Sequence, residues 1–189
     1  MPESKEWQAF NRKAQVLKDS DRPGVYFKED PSTGVIWYKG LDFQKGVIEC
    51  DIRGRDVQGA SFVGIAFRGW DAENYDAIYF RPFNFNTADS LRHAHGVQYV
   101  SHPEWTWQRL RNERTGRYEQ PVTNVPDQTT WFHARIEIHQ PQMMVFVNEA
   151  AEPALVVDEL SERTGGWVGL FMGYGSDGSF ANLKITTIE

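Results

Sequence analysis

The chain is poor in cysteine: among its 189 residues only Cys50 is present, so no internal disulfide can form. Cys50 alternates with Ile48 and Ile52, and no Cys/His pattern lies beside it. It reads as a small buried hydrophobe rather than a reactive thiol. Long hydrophobic runs are also missing. No segment approaches a membrane span, and the opening MPESKEWQAF lacks the apolar stretch of a signal peptide. As written, the sequence reads as a soluble, cytoplasmic chain; export stays open for a form from which a leader has been removed. There is no basic stripe either. Lys plus Arg number 20 against 26 Asp plus Glu, and the net charge of −6 is spread along the chain, which excludes the usual footprint of a nucleic-acid binder. No repeat, low-complexity tract or linker interrupts the sequence. A single domain over 1–189, with its core at about 24–188, is the expectation. The sequence does not address oligomeric state.

Aromatic residues, by contrast, are plentiful: seven Trp, seven Tyr and twelve Phe. Short runs of strand-formers with a period of two recur almost from end to end. They fall at 24–29, 35–39, 46–53, 61–68, 75–81, 95–101, 131–139, 142–148, 154–158, 166–173 and 179–187. Turn chemistry such as DRPG, DPSTG, RGRDVQG and SDGS separates them. Regular strands without alternating helices predict an all-β fold, an antiparallel two-sheet sandwich or jelly roll. Helix is expected only in the first dozen residues and at 104–113.

The period of two also assigns faces. In WFHARIEIH, Phe132, Ala134, Ile136 and Ile138 form a core face opposite a mixed polar one. The runs at 61–68 and 75–81 differ. Their non-core faces place small Gly64 and Ala66 as a floor, with Arg68, Tyr79 and Arg81 standing over it and Gln98 joining from GVQYVS. The segment from 97 to 121 adds Trp107, Arg111 and Glu119 in a connection too long and too aromatic for an idle loop. Trp and Tyr faces stack on sugar rings, while Arg and Glu bond hydroxyls or carboxylates.

Other motifs carry less. GYGSDG matches a dinucleotide-binding glycine pattern but is followed by strand-formers, so it reads as a hairpin turn. IECDIR puts Glu49, Asp51 and Arg53 on one face where glucanases of the laminarinase type carry a third carboxylate; the missing acid argues for a solvated strand. HAH at 93–95 lacks a third metal ligand and reads as a solvated loop. No cofactor is called for by these patterns. Calcium stays open, since Asp177 and Asn182 offer oxygen ligands.

Taken together, GVIECDIRG, SFVGIAFRG, YDAIYFRPFNF, GVQYVS, WFHARIEI and the closing GGWVGLFMGYGSDGSFANLKIT resemble the concanavalin A-like lectin/glucanase superfamily. The likeness is strongest to bacterial laminin-G-like domains and the 3-keto-disaccharide hydrolase family, and covers roughly residues 24 to 188. It implies a jelly-roll sandwich that meets a carbohydrate ligand at a concave, Arg/Tyr/Trp-lined groove. Within it, Arg68, Tyr79, Arg81, Gln98, Trp107 and Arg111 would bind substrate, and Glu119 would be the acid/base of a glycoside hydrolase-like or keto-disaccharide-processing enzyme. A non-catalytic, lectin-like carbohydrate-binding module and a laminin-G-like protein-interaction domain are the alternatives.

Overall fold

The computed structural model describes residues 5–17, 22–125 and 127–188. The chain forms two seven-stranded antiparallel sheets packed face to face, an all-β jelly-roll sandwich. The strands are β1 (Trp7–Phe10), β2 (Ala14–Leu17), β3 (Gly24–Phe27), β4 (Gly34–Tyr38), β5 (Gly46–Arg53), β6 (Val63–Gly69) and β7 (Tyr75–Phe80). They continue with β8 (Val97–His102), β9 (Glu119–Gln120), β10 (Phe132–His139), β11 (Gln142–Val147), β12 (Leu155–Asp158), β13 (Trp167–Met172) and β14 (Gly178–Thr187). One sheet, the front sheet, has the order β1-β4-β13-β6-β7-β8-β9; the back sheet has β12-β11-β10-β5-β14-β3-β2. A 3-10 turn (Pro82–Asn84) and helices α1 (Ser90–His93) and α2 (Trp107–Glu113) interrupt the strands.

Each of the eleven anticipated strands is present, because alternation of buried and solvated side chains is what a sheet with one packed face demands. In β10 the burial alternates residue by residue, and Phe132, Ala134, Ile136 and Ile138 are the buried set. Phe80 and Phe132 meet edge to face across the two sheets with ring centroids 4.9 Å apart, and Cys50 is fully buried in the same core. Helix at 104–113 is confirmed as α2, whereas helix near the N-terminus is corrected: 7–10 and 14–17 are short strands. They pair with β4 and β3 at the edges of opposite sheets, so tertiary pairing rather than local periodicity decides their state. GYGSDG is not a hairpin either. It links β13 of the front sheet to β14 of the back sheet, with Gly175 at a positive φ of 64° and the buried Ser176 hydroxyl accepting from the Phe62 N–H.

The front sheet is unusual in that β6 and β7 are buried on both faces. The inward face belongs to the core. The outward face lies under a second layer of side chains and a cover built from residues 82–95 and α2, and that cover encloses the site.

Candidate functional site

Register places the site. Across the front sheet, Phe10, Val35, Phe171, Gly64, Tyr79, Gln98 and Glu119 are successive cross-strand partners, from β1 to β9. One end of this row is apolar and the other polar. The neighbouring row holds Gly169, Ala66 and Ala77, small residues that let the rings of Phe171 and Tyr79 settle close to the sheet, 5.5 Å apart. Gly64 itself is required by contact: a Cβ there would lie 2.1 Å from the Ile78 carbonyl oxygen. Above this aromatic floor opens a cleft of about 660 Å³, within the range of ordinary ligand sites.

The wall on one side is α2. Thr106 caps it by accepting from the Arg109 N–H at 3.3 Å, and the buried Leu110 anchors it to the sandwich. Trp107 and Arg111, four residues apart, share the face turned to the cleft, the guanidinium carbon 5.1 Å from the indole. Trp107 is 41% exposed and Tyr174, on the rim, 63%. The helix's far side is self-contained: Arg109 and Arg114 both pack on Trp105, and Arg109 bonds Glu113. The other wall comes from the 82–95 segment. Asn84 donates to the His95 carbonyl at 3.2 Å, Arg92 bonds the Asn84 side chain and the Phe83 carbonyl, and His95 and Arg92 reach the cleft.

The polar end of the floor is a connected cluster. Arg81 donates to the Tyr79 hydroxyl at 2.9 Å, to the His95 carbonyl at 3.1 Å and to Gln98 Oε1, which also accepts from Tyr79 at 3.0 Å. Glu119, 3% exposed, takes two hydrogen bonds from Arg111, from Nε at 3.0 Å and from Nη2 at 2.7 Å. His95 Nδ1 lies 2.8 Å from Glu119 Oε2, an electrostatic contact out of line with a good hydrogen bond. Burial would raise the Glu119 carboxyl, but the Arg111 fork together with the charges of Arg111, His95 and Arg81 outweighs it and holds the group below the usual carboxylate range. Arg111 is raised in turn, chiefly by its hydrogen bonds to Glu119. Burial pushes the Tyr79 phenol up and the Arg81 guanidinium down; it also lowers His95, against the pull of Glu119.

Of the residues anticipated from sequence, Tyr79, Arg81, Trp107 and Arg111 line the cleft, with Gln98 and Glu119 directly beneath them. Arg68 is elsewhere. At its position β6 bulges, so that Phe67 and Arg68 together oppose Val168 alone, and Arg68 adopts a positive φ of 50°. Fully buried, its guanidinium donates to both Glu159 carboxylate oxygens and to the Gln44 carbonyl. It is a strut rather than a groove residue. Sequence reading passed over His95 and Arg92, whose placement depends on how 82–95 folds back; the HAH pair was the only hint. The acidic strand IECDIR lies on the outer face of the back sheet, where Asp51 meets His133 and accepts from Asn182 at 2.7 Å. Asn182 is thereby engaged, as is Asp177, which accepts from the Tyr26 hydroxyl at 2.9 Å and pairs with Arg55.

No family model and no curated protein sequence matches the chain. Solved structures do match in fold. The carbohydrate-binding module CBM66 from Bacillus subtilis superposes with a TM-score of 0.67 at 14% identity, over 96% of both chains. A Bacillus subtilis protein of unknown function with a galectin-like fold gives 0.62 at 11% identity, over 97% of this chain and 90% of that one. The exoplasmic/lumenal domain of VIP36, in a Ca2+/Man3GlcNAc-bound form, gives 0.60 at 14% identity, over 97% and 84%. At these identities the likeness establishes the sandwich fold and leaves function to the site.

Proposed function

We propose that the chain is a carbohydrate-binding module that takes an oligosaccharide into the cleft on the front sheet. The observation that carries this reading is the pairing of an aromatic floor and exposed rim rings, Trp107 and Tyr174, with convergent guanidinium, imidazole and amide donors. Sugar rings offer apolar faces for the former and hydroxyls for the latter. Two fold neighbours support it, CBM66 as a carbohydrate-binding module and VIP36 in its Man3GlcNAc-bound form. Hydrolysis needs two carboxyl groups flanking the scissile bond. The described lining of the cleft carries no Asp or Glu, and the nearest, Glu119, is committed to Arg111.

A second reading, an enzyme of the glycoside hydrolase or keto-disaccharide type, draws on the contact between His95 and Glu119. There His95, facing the cleft and lowered by burial, acts as a general base held by the carboxylate. Incubation with a panel of neutral and acidic oligosaccharides and keto-disaccharides, read by tryptophan fluorescence for binding and mass spectrometry for products, separates the two. Saturable quenching without products supports the module. A product abolished by His95→Gln establishes the enzyme instead, and no binding by any sugar sinks both.

A further inference from the structure

The charges around the cleft narrow the ligand, on the reading that the cleft binds glycan. Arg81 is 5% exposed, yet its guanidinium hydrogen-bonds only neutral acceptors. Its carboxylate neighbour, Glu119, stands 3.7 Å away and is already held by the shorter bonds from Arg111. Arg92 likewise bonds neutral oxygens of Asn84 and Phe83, and no carboxylate pairs with it among the described residues. Three guanidinium groups therefore face the cleft against one carboxylate turned beneath it, a local excess of two positive charges in a chain of net charge −6. A buried cation ordinarily has an anion of its own, because desolvation is otherwise uncompensated. Beside Arg81, the amide nitrogen of the buried Gln98 also has no acceptor among the described residues.

We infer that the cleft takes an acidic glycan, a sugar whose oxyanion substituent, a carboxylate or a sulfate ester, supplies the counter-charge that Arg92 lacks and that Arg81 has only by sharing Glu119 with Arg111. The guanidinium fork matches either oxyanion. Trp107 stacks on the ring that carries it, on the same α2 wall as Arg111 and across the cleft from Arg92.

Calorimetric titration of the whole chain with trigalacturonate, a sulfated chondroitin disaccharide, cellotriose and mannotriose tests this at low salt and at 0.5 M NaCl. The expected result is at least tenfold tighter binding of one acidic sugar than of either neutral one at low salt, with the preference shrinking at high salt. Preference for trigalacturonate identifies the carboxylate; preference for the chondroitin disaccharide, which carries a uronate as well, identifies the sulfate when the unsulfated disaccharide loses it. Arg92→Gln is expected to weaken the acidic sugar at least fivefold more than either neutral one, while Arg92→Lys, which keeps the charge without the fork, retains part of the preference; melting curves check that both fold. Neutral sugars binding as tightly as acidic ones overturns this inference and leaves the glycan reading intact. A preference indifferent to salt and to Arg92→Gln overturns it as well. Silence from all four sugars, in a folded protein, removes both.

Discussion

Replacing Arg68 with Met separates a strut from a ligand contact. Met keeps a long side chain, and the substitution leaves the backbone at the positive φ of 50° with no change in its steric demand. What it removes is the partner of Glu159, whose side chain is 6% exposed, and the donor to the Gln44 carbonyl. Breaking a buried pair from one side strands the other charge and costs about 3–5 kcal/mol. In a domain of this size each kcal/mol moves the melting temperature by about 2–4 °C, so a drop of roughly 6–20 °C is expected. Urea unfolding followed by tryptophan fluorescence should show a lower midpoint with an unchanged slope. Converting Glu159 to Leu in the same chain removes the stranded charge and should restore most of the loss, since hydrophobic replacement of a whole buried pair is often neutral. A single variant that loses less than about 1 kcal/mol, or a double variant no better than the single, refutes the buried-pair argument. Glycan affinity should be the same in the double variant as in the parent; a tenfold loss there would return Arg68 to the binding site.

Trp107→Ala should weaken oligosaccharide binding about 3- to 10-fold, the worth of one aromatic contact, and barely change the melting temperature because the ring is on the surface. Paired calorimetry and thermal melts check both halves. Glu119 is held below its unfolded value of about 4.3, so the stability it confers is complete above that pH and lost as pH falls through the lower folded value. Denaturant titrations between about pH 2 and 7 should therefore show a flatter acid limb in Glu119→Gln than in the parent. Gly64→Ala forces a methyl against the Ile78 carbonyl oxygen and the Tyr79 Cα, 2.1 and 2.5 Å from its ideal position, and both are backbone atoms that cannot swing aside. We expect a loss of at least about 1–3 kcal/mol in chemical denaturation, with sugar affinity falling too as Tyr79 is displaced.

The sandwich was legible because its strands are long enough for alternation to show. β5 and β10, eight residues each, carry their inward faces openly in the sequence, and their register follows from keeping those faces on the core. The four residues of β1 or β2 do not, since both are half-buried only at their ends, and what makes them strands is an open edge on β4 or β3. The two residues of β9 are shorter still, and their pairing with β8 is a tertiary event. Yet that pairing is what sets Glu119 opposite Gln98 and within reach of Arg111.

For the site, counting by twos succeeded exactly as far as the strands stayed regular. Tyr79 and Gln98 share a face because β7 and β8 pair without interruption. The same count failed at Arg68 because the bulge opposite Val168 adds one residue to β6, and one residue reverses the face. The error has a chemical consequence. Arg68 has a carboxylate of its own in Glu159, whereas Arg81, read from sequence as its equal on the same floor, has none to itself. Two arginines that look alike in the alternating pattern thus differ in charge balance, one with a carboxylate to itself and one sharing its carboxylate with Arg111. The balanced one is where the fold is held together, and the unbalanced one faces the cleft where a ligand can complete it.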